Sequence, residues 1–363
     1  MTKQRVVRSR APLRLGLAGG GTDLSPFCDE HGGYVLNATI NMYAYCSLAR
    51  RKDRSVCFQA TDHNAECVER ISETLPHEGP IGFLAGVYSH FMRRMYGNEL
   101  VPIDMATYCE APPGSGLGSS STMVVAICRG LAELLGIPLG DYDLAQLAYL
   151  IERVDLGLQG GRQDQYAAAF GGVNFMEFYA DNRVLVNPLR IKPYILSELE
   201  ASLLLYYTGR SRASESIIKH QVQNISAKKG RALDAMLRVK EEALKMKEAL
   251  LKGDFEKIGS ILKAGWVAKK KTAHEVTNPD IERIMNLALG NGAIAGKVSG
   301  AGGGGFIMFL VDPLAKAHLS NILKRQSGIV FTCSMTRTGA EAWNLPKEAY
   351  KRTSLVAARE NHQ

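Results

Sequence analysis

The sequence predicts an α+β fold in two units, and three observations carry that expectation. The chain has 363 residues, a length that suggests about two domains. Apolar runs of strand type stand among amphipathic runs of helical period, with no internal repeat. The character then changes near 187–200, after which long helical runs dominate. The chain is therefore cut near 190, into units 1–190 and 191–346 with a polar tail at 347–363.

The first unit opens on a strand at 5–17. Leu13, Leu15 and Leu17 alternate there with Arg14 and Gly16, which places Arg14 opposite the leucines. A glycine-rich loop holds Gly20, Gly21, Thr22 and Asp23, and 26–33 reads as a short helix closed by glycine. Residues 34–50 alternate as one or two strands and 55–60 as another, followed by a helix at 81–96 and a strand at 101–108. From Thr122 to Leu135 the apolar positions Met123, Ile127, Leu131, Leu134 and Leu135 recur at helical spacing, and Gly136 and Pro138 stop the helix. Asp143 with Gln146 reads as a capping box for a helix over 144–155. Its buried stripe is Leu144, Leu147, Ile151 and Val154, with Glu152 at the edge. A glycine-bounded loop and short helix fill 157–172, and 173–178 with 183–186 form a hairpin turning at Asp181-Asn182. The second unit begins with a buried strand at 203–207 and two amphipathic helices at 213–226 and 229–252. Leu233, Met236, Leu237, Leu244 and Leu251 mark the inner side of the longer one. Helices at 254–271 and 278–289, a glycine stretch at 296–305 and an apolar strand at 306–311 complete the pattern.

Apolar residues make up 46% of the chain and charged residues 22%, an ordinary globular balance. No apolar run approaches the ~18 residues of a membrane span. The seven cysteines are scattered singly, without a Cys-x-x-Cys pair, and read as reduced thiols of a cytoplasmic protein. The net charge of +8 comes from dispersed basic residues with no basic tail interleaved with aromatics. That distribution disfavours a nucleic-acid partner and suits an anionic small substrate.

The densest chemical signal is 112–121. Gly114, Gly116 and Gly118 strip side chains from one side of a loop and permit left-handed backbone angles. Pro113, Ser115 and Leu117 lie between and before them, and Ser119, Ser120 and Ser121 open the helix that follows. Amides turned inward at a helix N-terminus make a phosphate cradle. No Gly-Lys-Ser/Thr ending is present, so no loop lysine reaches the terminal phosphates.

Three glycine stretches stand in order, at 11–24, 112–121 and 296–305. Together they resemble the GHMP kinases: the central loop matches Pro-x-x-x-Gly-Leu-Gly-Ser-Ser, and Lys-Val-Ser-Gly-Ala-Gly-Gly-Gly-Gly-Phe resembles the C-terminal glycine motif. Gly-Gly-Gly-Thr-Asp-Leu at 19–24, behind Arg14, is similar to the heptose-phosphate kinase branch. The resemblance implies an N-terminal domain like domain 2 of ribosomal protein S5, with a left-handed crossover, and a ferredoxin-like C-terminal domain. ATP would lie between them.

The same resemblance implies roles. Ser120 and Glu152 would hold Mg2+, a hard cation satisfied by few protein oxygens. Asp164 would orient or deprotonate the acceptor hydroxyl, and Arg14 matches the arginine that stabilises its anion. Thr22 and Asp23, with Gly20 and Gly21, would grip sugar hydroxyls, while Gly302 and Gly303 would let backbone approach the substrate. A sugar phosphate needs a second anion site, for which Arg210 and Arg212 are the candidates and Arg162 and Lys271 the reserves. The expected activity is ATP- and magnesium-dependent phosphorylation of the anomeric 1-hydroxyl of a heptose 7-phosphate. Another small-molecule kinase of the family, for L-fucose, galactose or mevalonate, is the rival. The expectation leaves a homodimer open.

Overall fold

A computed structural model describes residues 6–71, 75–112, 114–209, 214–226 and 230–345. Its first sheet is organised by β1 (Val6–Ala18), whose alternation is buried on both faces. Leu13, Leu15 and Leu17 enter one core, Val7 and Ala11 another, and Arg14 turns away from the leucines toward the glycine loop. The chain continues through α1 (Phe27–His31), β2 (Gly33–Arg50), β3 (Ser55–Ala60), β4 (Ala65–Arg70), α2 (Gly79–Met95), β5 (Ile103–Cys109), α3 (Ser119–Leu135) and α4 (Asp141–Tyr149). A π-helical segment (Leu150–Asp155) extends α4, and α5 (Gln163–Phe170) leads into the hairpin β6 (Val173–Phe178) and β7 (Val184–Pro188). Then come α6 (Pro193–Ser202), β8 (Leu203–Tyr207), α7 (Ser214–Ser226), α8 (Gly230–Lys252), α9 (Phe255–Lys270) and α10 (Pro279–Leu289). The last elements are β9 (Ala293–Val298), β10 (Phe306–Val311), α11 (Pro313–Lys324), β11 (Ile329–Phe331) and β12 (Glu341–Leu345).

The first sheet runs β12-β1-β2-β5-β3-β4, with the β6–β7 hairpin on the far end of β2. Among the described residues its single parallel pair, β3 with β5, is joined by way of β4 and α2. The second sheet runs β11-β8-β10-β9. Numbered within itself, that is the 4-1-3-2 order of a split β-α-β, the ferredoxin-like pattern. β12 crosses back to pair with β1, Val6 facing Leu345 and Arg10 facing Glu341, so residues 341–345 sit in the first sheet. Leucines of β1 and Leu36, Ile40 and Phe175 pack with Leu203, Leu205, Phe306 and Met308 in one shared core, and this core fixes the two sheets against each other.

Three expectations fail here for identifiable reasons. α4 starts at Asp141 with Gly140 as its N-cap and no side-chain cap bond, so the Asp143–Gln146 box does not form; Asp141 and Asp143 instead meet the positive end of the helix dipole. Val154 is 60% exposed, because the wider π turn rotates the end of the stripe outward. On α8 the leucines 237, 244 and 251 face out, and the buried face is Ala232, Ala235, Met236, Val239, Ala243, Met246, Ala249 and Leu250. Small residues let this helix lie close: a Cβ placed at Gly19 would come within 3.0 Å of Ala243 Cβ.

Candidate active site

The central loop reaches its shape through glycine. Gly114, Gly116 and Gly118 have φ of +68°, +79° and +80°, all left-handed. A Cβ at Gly116 would stand 2.5 Å from the Ser299 carbonyl oxygen, so this loop and the third glycine stretch are in backbone contact. Gly118 caps α3 and offers no side chain, so the first-turn amides of α3 carry no side-chain cap. Gly114, Gly116, Gly118, Ser119, Ser120 and Ser121 line a cavity of about 270 Å³. Ser115 and Leu117 turn inward: the Ser115 hydroxyl accepts from the Leu117 amide, and the Leu117 side chain is buried in the shared core. Pro113 lies outside the described residues.

Asp164 and Arg14 meet on the wall of this cavity. Arg14 Nε donates to Asp164 Oδ1 at 2.7 Å, and its Nη1 donates to the Gly116 carbonyl at 2.6 Å. One guanidinium therefore ties the carboxylate to the phosphate-type loop, with the fixed fork geometry of arginine. The carboxylate also lies against Gly118, where an added Cβ would stand 3.1 Å from Asp164 Cγ.

Glu152 comes from the π segment and is fully buried. Its Oε1 accepts from Ser120 Oγ at 2.8 Å and its Oε2 from Gln165 Nε2 at 2.7 Å, while Arg153 lies 3.2 Å away. The seryl hydroxyl is thus not the α3 cap. A hydroxyl and a carboxylate, the hard oxygens that Mg2+ prefers, thus stand side by side on the cavity wall. The residues present therefore fit a Mg2+ ion that draws its other ligands from phosphate and water.

The first glycine loop behaves differently from expectation. Thr22 is fully buried: its one hydroxyl proton lies between the carbonyls of Gly19 and Tyr34, and its oxygen accepts from the Tyr34 amide. It holds the loop and does not line the cavity. Asp23 lines the cavity, yet its Oδ2 accepts from the Arg162 and Gln163 amides and its Oδ1 from Gly21 N and Gln163 Nε2. It acts first as the cap of α5, which carries Asp164. Gly21 lines the cavity, whereas Gly20 presents its carbonyl to Lys269. Gly302 and Gly303 pack on Val276, with Gly303 N bonded to its carbonyl, so Gly300 and Ala301 are the members of that stretch on the cavity wall. Arg210 and Arg212 lie outside the described residues. Of the reserves, Arg162 is consumed by Tyr179 O, Ser25 and Asp29, and Lys271 opens on a separate groove beside α8.

Sequence reasoning missed two buried lysines. Lys269 Nζ donates to the Gly300 and Gly20 carbonyls at 2.7 and 3.2 Å. Lys297 donates to the Gly16 carbonyl at 2.8 Å. Burial pushes their ammonium groups down, to about 8 and about 7, and Arg14 pushes both further. Also missed was a second cavity of about 250 Å³ with Pro80, Phe83, Leu84 and Met123 on its wall and Asp62 and His63 among its polar lining. It shares Gly114, Ser119 and Ser120 with the first, so the two meet at the loop.

The profile of the GHMP kinases N terminal domain matches residues 83–172, and that of the GHMP kinases C terminal domain matches 246–327. D-glycero-alpha-D-manno-heptose 7-phosphate kinase of Campylobacter jejuni is 46% identical over 341 residues, covering 94% of this chain and all of that protein. The chain is a GHMP kinase. A crystal structure described as a D-glycero-D-manno-heptose 1-phosphate kinase from Bacteroides thetaiotaomicron superposes on this GHMP kinase with a TM-score of 0.79 at 43% identity, covering 93% of this chain and 99% of its own. A putative sugar kinase of Campylobacter jejuni gives 0.78 at 45%, covering 94% and 98%. The enzyme is accordingly an ATP-dependent phosphotransferase with the two-unit fold of the family. Its described residues contain no helix long and apolar enough to cross a membrane.

Proposed function

We propose that this GHMP kinase transfers the γ-phosphoryl group of ATP to the anomeric 1-hydroxyl of a D-glycero-D-manno-heptose 7-phosphate. The observation that carries the reading is the Asp164–Arg14–Gly116 linkage, which sets a carboxylate beside an anion-binding loop. The adenine base fits the apolar cavity at Phe83 and Met123, and the triphosphate runs over Gly114–Ser121 toward Asp164. Asp164 orients the acceptor hydroxyl and receives its proton as the new O–P bond forms and the β–γ bridge breaks, releasing ADP. Ser120 and Glu152 hold Mg2+, which supplies charge neutralisation on the phosphates when bound. Arg210 and Arg212, which follow β8 in the chain, bind the distal phosphate.

The test is a coupled ADP-release assay across heptose 7-phosphate, unphosphorylated heptose, L-fucose, galactose and mevalonate, with phosphorus NMR of the product. The expected result is selective turnover of heptose 7-phosphate and an anomeric phosphate resonance. Preference for an unphosphorylated sugar refutes the acceptor assignment. Arg210→Ala and Arg212→Ala should raise the KM for heptose 7-phosphate while leaving the slow turnover of unphosphorylated heptose unchanged.

A further inference from the structure

The lysine run at 269–271 does three different things. Lys270 pairs with Glu282 at 3.1 Å and Lys271 is exposed, but Lys269, at the end of α9, is buried and faces the reaction cavity. An ammonium has three N–H donors. Two of those on Lys269 go to the carbonyls of Gly20 and Gly300, one in the first glycine loop and one in the third. Neither acceptor carries a formal charge, and the Asp23 and Asp164 carboxylates act on the ammonium through space without offsetting its burial, which still holds it below its ordinary value. A buried ammonium so held gains from any further negative charge that enters the cavity beside it. The central loop, meanwhile, has no lysine of its own to reach the terminal phosphates. The transferring phosphoryl group spreads negative charge over three equatorial oxygens, and Lys269 lines the same cavity as Asp164, Arg14 and Ser120.

We propose that Lys269 is a catalytic residue whose third N–H binds an oxygen of the phosphoryl group in flight, supplying from α9 the cation that the glycine loop lacks. This rests on the kinase reading and not on the identity of the sugar. The groups facing Lys269 are Arg14 from β1, Asp23 from the first loop, Asp164 from α5 and Lys297 from β9. Lys297 is itself drawn upward by Glu242 of α8. With the ammonium of Lys269 lowered to about 8, kcat/KM for ATP should fall as pH rises through that value, because the free enzyme loses the charge.

The experiment compares the full-length enzyme with Lys269→Met, Lys269→Gln and Lys269→Arg, on whichever acceptor the wild type turns over. Lys269→Met and Lys269→Gln should lower kcat by about 10²–10³-fold, the usual loss for one transition-state donor. ATP affinity measured by calorimetry and the melting temperature should stay near the wild type. Lys269→Arg should recover part of the rate and lose the alkaline limb, since guanidinium stays charged. Three results overturn the proposal: kcat kept within about threefold in folded Lys269→Met, a loss shared equally by ATP affinity and melting temperature, or an alkaline limb unchanged in Lys269→Arg. If Lys269→Met does not fold, the pH profile of Lys269→Arg decides. Absent turnover of heptose 7-phosphate by the wild type is a separate failure and touches only the acceptor assignment.

Discussion

At the scale of single residues, the site divides into groups that face the reactants and groups that hold those groups still. Asp164 belongs to the first kind and Asp23, four times hydrogen-bonded at the start of α5, to the second. Asp164→Asn keeps the size and a hydrogen bond to Arg14 but gives up the charge. It should lower kcat by about 10²–10⁴-fold with little change in KM for ATP, measured by coupled assay. Glu152→Gln and Ser120→Ala remove a charged and a neutral oxygen from the same 2.8 Å pair. Both should raise the Mg2+ concentration for half-maximal rate, the glutamine variant more, and a magnesium titration at fixed ATP reads the difference. Thr22 was expected among the substrate residues because a threonine before an aspartate in a glycine turn can serve either loop or ligand. Nothing in the sequence shows that the Tyr34 backbone, folded back in β2, claims its hydroxyl.

At the scale of elements, legibility followed locality. The helix behind the central loop could be read from its own spacing and its glycine stop, and α3 ends at Leu135 with Gly136 in the left-handed region. The bounds of β6 and the Asp181-Asn182 turn were likewise local, and the helix read at 278–289 is α10, while β7 runs two residues beyond the expected 183–186. What could not be read depends on distant partners. The π segment moves Glu152 to full burial and Val154 outward, and α8 uses its alanine face because β1 and β2 lie close beneath it. The strands β4 and β12 and the helices α6 and α11 gave too little local pattern against their polar composition. The glycines of the loop make a sharper statement. Gly116→Ala combines a left-handed residue with a Cβ 2.5 Å from the Ser299 carbonyl. The left-handed penalty alone is about 1–2 kcal/mol. The variant should melt several degrees lower and bind ATP more weakly, as thermal melts with and without nucleotide would show.

At the scale of the molecule, the reaction cavity lies over a seam closed by buried charge. Glu242, Lys269 and Lys297 line one small cavity of about 20 Å³ together with Trp266. Burial raises the Glu242 carboxyl from 4.5 to about 7, so the folded protein holds a proton there that the unfolded chain has released, and stability falls as pH rises from about 4.5 to 7. Lys297 works in the opposite sense. Its folded value of about 7 lies below its ordinary 10.5, so stability climbs as pH rises across that interval. Glu242→Gln should flatten the first limb of a melting-temperature profile and start the second at lower pH, because the carboxylate that draws Lys297 upward is gone; an unchanged first limb would show that other groups set it. β12 has a consequence of another kind. Because it runs antiparallel to β1, with Leu345 opposite Val6 and Arg10 bonded to Glu341, the first and last described residues lie side by side. Tension applied through residues 6 and 345 would peel that ladder rung by rung before any load reached the seam.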